Sequence, residues 1–196
     1  MYAPKSFSLG TLDGISARQL DVHLKLYEGY VTHVNKLADI LKADRDDTAP
    51  LDMYVAAELR RRFAFEFDGM RMHEHYFSQW EGGAADIDGE SKLAQAASAK
   101  YGSWDAFIEH VKLVSGSRGI GWTVVYADPA ADGLLHTAFV GDHELGHLAG
   151  LPVILALDMW EHAFMVDYTP AEKKQYTEAF FKNLNWSVVS KRFEAA

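Results

Sequence analysis

Residues 151–168 read LPVILALDMWEHAFMVDY, and the way this stretch divides decides the fold. Leu151 to Leu157 is a short, almost wholly apolar run, the pattern of a buried strand. Polarity returns abruptly at Asp158, and the spacing predicts a short helical segment from Asp158 to Tyr168. In such a segment Asp158 and His162 stand four positions apart on one face, because residues i and i+4 are neighbours on a helix surface. A carboxylate and an imidazole so placed can reach one metal ion, and imidazole is the commonest protein metal ligand. A bare pair of this kind is also compatible with a salt bridge, so the rest of the chain has to supply further ligands.

Moving outward, the period of the pattern changes twice. Trp122 to Tyr126 and Leu134 to Val140 are β-rich runs on either side of a turn from Asp128-Pro129 to Asp132-Gly133. Together with residues 151–157 they predict a small three-stranded antiparallel sheet. Ser91 to Tyr101 and Ser103 to Val114 read as helices, with Gly102 stopping the first and Ser103 capping the second. Ala171 to about Phe193 reads as a closing helix. Nearer the N-terminus, Leu20, Leu24, Tyr27, Val31, Val34, Leu37 and Leu41 recur at threes and fours, predicting a helix over 15–42. The charged run Asp44 to Thr48 and Pro50 break it. A second helix is expected over 51–80, interrupted near Gly69. The expected class is therefore α+β: an N-terminal antiparallel helical hairpin followed by a C-terminal α/β domain. The turn-rich stretch Glu81 to Gly89 sets the boundary, giving domains at 1–83 and 90–196.

Composition narrows the chemistry. The 196 residues contain no cysteine, which excludes disulfides, thiolate metal sites, iron–sulfur clusters and a thiol nucleophile. Any metal must sit on His, Asp or Glu, a ligand set suited to iron, manganese or zinc. A net charge of −9 argues against a nucleic-acid partner, since phosphate binding needs a basic face. No apolar run has the length of a signal peptide or a membrane span, so no membrane partner and a cytoplasmic location are expected.

The motif D-x-W-E-H-A-[FY]-x-x-D-Y at residues 158–168 resembles the C-terminal metal motif of the iron/manganese superoxide dismutases. F-x-x-x-G-M-x-x-H-E-x-Y-F, residues 65–77, resembles the second ligand segment of that family. Residues 15–23, ending in His23, resemble the start of its first helix, and Tyr30-Val31 with Asn35 resemble its Y-V-x-x-x-N signature. The resemblance covers nearly the whole chain, through Asn185-Trp186. It implies one iron or manganese ion per subunit on His23, His73, Asp158 and His162, with Val22 as the choice of an ungapped register. It also implies superoxide as the substrate, dismutated to dioxygen and hydrogen peroxide. Tyr30 is then the gate of the substrate funnel. Trp122 and Trp160 wall the pocket, and Glu161 reaches across a homodimer or a dimer of dimers. His143 stands where the family usually has a glutamine that hydrogen-bonds the metal-bound water, while Gly69 occupies that glutamine's alternative position.

Several features depart from the family pattern. His23 and Tyr30 are seven residues apart where many members have eight, which implies a first helix without a bulge. The family's Arg after Asp-Tyr is absent, with Lys173 or Lys174 as stand-ins. Leu26 or Tyr27, and Met165, replace the residues of a proton relay between subunits. His33, His75, His110, His136 and His147 carry no metal role. Two other readings follow from these departures: a metal-binding member with weak or lost activity serving a structural purpose, and a zinc hydrolase working through an activated water.

Overall fold

In the computed structural model, which describes residues 1–131 and 134–196, α1 runs from Ala17 to Arg45 and α2 from Met53 to Ser78. Each starts on a capping side chain: Ser16 accepts from the Gln19 amide and Asp52 from that of Tyr54. The buried residues of α1 (Gln19, His23, Tyr27, Val31, Val34 and Leu37) form one stripe at helical period. That stripe faces α2, whose own buried face includes Met70, His73 and Phe77. The interruption expected near Gly69 does not occur, and α2 passes through it unbroken. A lone glycine costs a helix only about 1 kcal/mol relative to alanine. Here it permits a close approach, because a Cβ at Gly69 would lie 2.7 Å from Cδ1 of Tyr30.

The chain then forms α3 (Lys92–Tyr101) and α4 (Trp104–Ser115), separated by Gly102 at φ 92°, a left-handed stop that a side chain would disfavour. Strands β1 (Gly121–Asp128), β2 (Leu134–Gly141) and β3 (Val153–Asp158) make an antiparallel sheet in the order β2-β1-β3. The central strand is buried nearly throughout, which explains its continuous apolar sequence. Of the turn expected between β1 and β2, Asp132 and Gly133 lie outside the described residues. β3 is an edge strand covered by α2: both the N–H and the C=O of Ala156 are bonded by the buried Gln79 side chain, at 3.2 and 2.6 Å. An edge left bare would be open to pairing with another chain.

Two expected helices are corrected. The segment from Asp158 to Tyr168 is not helical: Asp158 is the last residue of β3, and only Glu161–Ala163 form a single 3-10 turn. Asp158 pairs with Trp122 across the sheet, and its carboxylate accepts the Trp160 amide at 2.9 Å. That local bond competes with helix formation, and Trp160 stays extended. The closing helix is also broken, into a 3-10 turn at Pro170–Glu172, α5 (Lys173–Lys182) and α6 (Trp186–Glu194), the last capped by Asn185. β3 begins at Val153 rather than Leu151. Among the described residues no helix is long and apolar enough to cross a membrane.

Candidate metal centre

The four residues that the sequence singles out as ligands meet at one point. Oδ2 of Asp158 lies 3.1 Å from Nε2 of His23, 3.1 Å from Nε2 of His162 and 3.5 Å from Nε2 of His73. One ligand atom from each falls within 4.8 Å of all the others. His23, not Val22, turns inward; Val22 is 42% exposed. Burial pushes the His23 and His73 imidazoles below their ordinary pKa, so both are neutral lone-pair donors. Burial also pushes the Asp158 carboxyl up, but His162 and His23 outweigh it and hold the group below the usual carboxylate range.

One atom tests whether this cluster suits a metal. Nδ1 of His73 donates to the Gly69 carbonyl at 2.6 Å, so the proton sits there and the Nε2 lone pair is free. That Nε2 is buried and has no hydrogen-bond partner. Buried polar atoms without partners are rare. An acceptor aimed among a carboxylate and two further imidazoles is satisfied by a cation, and three nitrogens with one oxygen suit iron, manganese or zinc.

The candidate ligands are held by different devices. His23 and His73 ride the facing stripes of α1 and α2. Asp158 is set by sheet register, and its carbonyl accepts the Tyr176 hydroxyl at 2.8 Å, itself 3.0 Å from the Tyr76 hydroxyl. His162 sits in the 3-10 turn, clamped by the buried Gln19, which donates to the His162 carbonyl at 2.7 Å and accepts from the Val166 amide at 3.0 Å. Sequence reasoning misses Gln19, Tyr76 and Tyr176. A signal exists for Gln19, because a polar residue four positions before His23 lies on the same buried stripe.

Beside the ligands stands a second group of side chains. His143 is fully buried, and burial pulls its imidazole down to about 4. Trp122 donates its indole N–H to Nδ1 of His143 at 2.9 Å. Indole nitrogen is a donor only, so the proton of this neutral imidazole is on Nε2. Nε2 lies 2.7 Å from the Tyr30 hydroxyl oxygen, which accepts it. The Tyr30 and His143 rings lie 5.1 and 5.9 Å from the ring of His73. Trp160 stacks between His143 at 4.8 Å and His162 at 5.6 Å, and Phe65 closes on His143 at 4.6 Å. Burial raises the Tyr30 phenol well above its ordinary pKa, so it is a protonated hydroxyl.

Other predicted residues fall outside this group. Glu161 is exposed, as are Met165 and His33, the latter 3.5 Å from Glu66. Tyr27 is buried, but its hydroxyl turns away to the Lys5 amide and to Glu74. His75 is half-buried beneath Arg192, which binds its carbonyl. Lys173 is half-buried, its ammonium pKa lowered by burial against the opposing pull of Glu161 and Asp158, whereas Lys174 is exposed.

The chain is similar in sequence to known proteins. Residues 89–192 match the model for "Iron/manganese superoxide dismutases, C-terminal domain". A protein named superoxide dismutase [Fe] from Aquifex pyrophilus is 34% identical over 94% of this chain and 87% of its own. One of the same name from Sulfolobus acidocaldarius is 32% identical over 92% and 86%. A mitochondrial superoxide dismutase [Mn] from Penicillium chrysogenum is 26% identical over 98% and 92%.

Proposed function

Because the chain belongs to the iron/manganese superoxide dismutase family, we propose that His23, His73, Asp158 and His162 hold one iron or manganese ion and that the protein disproportionates superoxide to dioxygen and hydrogen peroxide. The observation that carries the ligand assignment is the buried, unpartnered Nε2 of His73 among three other donors. When bound, such an ion supplies the one-electron couple that superoxide reduces and reoxidises in turn. The balance is two superoxide ions and two protons to one dioxygen and one peroxide, so the protein has to deliver protons without admitting bulk water.

Tyr30 holds one such proton. His143 donates its single N–H to the Tyr30 oxygen, which leaves the Tyr30 hydrogen free to serve the substrate. The resemblance to the family implies that His143 itself bonds the metal-bound water. An imidazole has one proton to give where a carboxamide has two, and here that proton goes to Tyr30, so Tyr30 would be the group that donates toward the bound ion's solvent, with His143 orienting it. Trp122, Trp160 and Phe65 exclude water around the pair. Lys173 supplies local positive charge against the overall −9. Superoxide turnover and metal content of the wild type, loaded with iron or with manganese, test the assignment. Metal-loaded protein without turnover would leave only a binding role, and turnover lost in a His143→Ala variant that keeps its metal would support the Tyr30–His143 pair.

The protein is proposed to act as a homodimer, each Glu161 reaching the partner's His162. The exposure of the large apolar side chains of Val22, Met165 and Val166 supports this, as does Gln19, which ties α1 to the segment 162–166 next to Glu161. Glu161→Ala should weaken association and metal retention together, read by sedimentation and elemental analysis. The division at 1–83 and 90–196 is likewise proposed, with limited proteolysis between Gly83 and Gly89 as its check. The cytoplasm is the proposed compartment, and cell fractionation tests it.

A further inference from the structure

The segment from Gly141 to His147 carries His143, and from Asp142 onward it belongs to no strand or helix. Its backbone is under strain, because Asp142, directly before His143, has φ 50°, a left-handed conformation unfavourable for a residue with a side chain. Such a conformation persists only where its surroundings hold it. Gly141 and Leu145 exchange two backbone hydrogen bonds, at 2.8 and 3.0 Å, which closes the loop without orienting the His143 ring.

The orienting contacts come from β1. Trp122 and Tyr126 are four residues apart on that strand, so both point from the same face, and both are buried. Trp122 grips the His143 ring at Nδ1. Tyr126 grips the loop's far end: its hydroxyl is 2.7 Å from Nδ1 of His147, whose Nε2 is 2.8 Å from the His143 carbonyl. A carbonyl only accepts, so Nε2 of His147 carries a proton and donates it. In the neutral ring Nδ1 then accepts from the Tyr126 hydroxyl. Every atom in the chain Tyr126 to His147 to His143 therefore has a single consistent role.

We propose that His147 is a positioning residue for the dismutase reaction: braced by Tyr126, it pins the His143 backbone so that Nδ1 stays on Trp122 and Nε2–H stays on Tyr30. This assigns His147 a task that its sequence position does not announce, and it rests on the reading of the Tyr30–His143 pair above. Without the peg the strained loop relaxes, the His143 ring leaves Trp122, and the imidazole samples both tautomers. The Tyr30 hydrogen is then no longer reserved for the substrate.

The test is nitrogen-15 NMR of the whole chain labelled at histidine, with the metal removed, alongside turnover and metal content of the metal-loaded protein. In the wild type His143 should give one Nε2–H tautomer with a slowly exchanging imino proton. His147→Phe keeps the ring volume and loses both hydrogen bonds. It should average the His143 nitrogen signals and lower turnover about 10-fold at unchanged metal content, the low end for loss of such an outer partner. His147→Gln, whose amide can accept from Tyr126 and donate to the carbonyl, should restore both. A merely structural role would lower the melting temperature and leave the tautomer untouched. His143 resonances and turnover unchanged in His147→Phe overturn the proposal. If that variant does not fold, Tyr126→Phe removes one oxygen and reads the same signal, and unshifted His143 resonances there overturn the proposal equally. The NMR readout is independent of turnover, so wild-type turnover in His143→Ala would sink the reading of the pair separately.

Discussion

The helical hairpin and the irregular C-terminal segments deliver two candidate ligands each, by different physics. His23 and His73 sit inside long regular helices, where a ligand's direction follows from its place on a buried stripe. Nothing beyond helix–helix packing is needed to aim them. Asp158 and His162 stand at the end of an edge strand and in a 3-10 turn, where local backbone period alone does not fix a ligand's direction. There sheet register with Trp122 sets the strand end, and side chains far away in sequence supply the rest of the aim: Gln19 on the turn, Tyr176 at the strand end, Gln79 along the strand. Regular elements carry precision in their period. Irregular ones borrow it through hydrogen bonds to buried backbone groups.

The comparison can be strained from its helical side first. His73→Ala leaves both helices intact and removes a fully buried imidazole from the cluster. Metal occupancy should collapse, and turnover should fall by more than about 100-fold, beyond the loss usual for an outer partner. Elemental analysis with a superoxide assay checks this. Full occupancy with normal turnover would mean that the helices do not hold the ion.

Acid tests the irregular side. The His143 imidazole titrates at about 4 in the folded chain, against an ordinary value of 6.5. Between these limits the unfolded chain binds the extra proton and the folded one does not, so stability is complete above about pH 6.5 and falls as pH drops toward 4. That group alone accounts for about 3 kcal/mol over the interval. Thermal unfolding from pH 7 to 4 should show the decline, and His143→Gln should flatten it in part. A remainder should stay, from His75, which burial also lowers to about 4, and from His23 and His73, which burial lowers too. An acid limb unchanged in His143→Gln would put the cost elsewhere.

Gln19→Ala separates a clamp from a ligand. It strips the hydrogen bonds from the His162 carbonyl and the Val166 amide, at a cost of about 2 kcal/mol for leaving such groups unpaired. Metal affinity should weaken with stability, because the turn carries His162. Denaturant unfolding and competitive metal titration read the two effects. A stable variant that binds metal normally would show that the turn needs no clamp.

The smallest effect is expected at Gly69. Alanine there gains helix propensity but sets a Cβ 2.7 Å from the Tyr30 ring, and overpacking of that kind costs about 1–3 kcal/mol. The two partly offset, so net destabilisation should be about 1 kcal/mol, with Tyr30 displaced and turnover reduced several-fold. Urea unfolding and the superoxide assay on Gly69→Ala check this. A stabilised, fully active variant would mean that the hairpin tolerates a wider helix spacing than its packing indicates.

Much is legible in the sequence by itself. Helical period marks the hairpin, and the apolar runs mark three strands whose antiparallel order the fold keeps. The resemblance of its motifs to a known family names all four residues that meet at the cluster, because residue types and their order are properties a chain carries before it folds. What the sequence does not carry are the contacts made across long separations. Spacing alone puts Asp158 and His162 on one helix, yet they converge because Trp160's amide folds back on the Asp158 carboxylate and Gln19 holds the turn, 143 residues away from His162. Gly69 reads as a break in the sequence, though only the neighbouring Tyr30 ring explains why it has no side chain. The tautomer of His143 depends on a tryptophan 21 residues upstream, on the central strand. Local pattern sets which residues can ligate and which elements form. The hydrogen bonds that aim those residues depend on which distant donors and acceptors are buried together, and only the tertiary structure decides that.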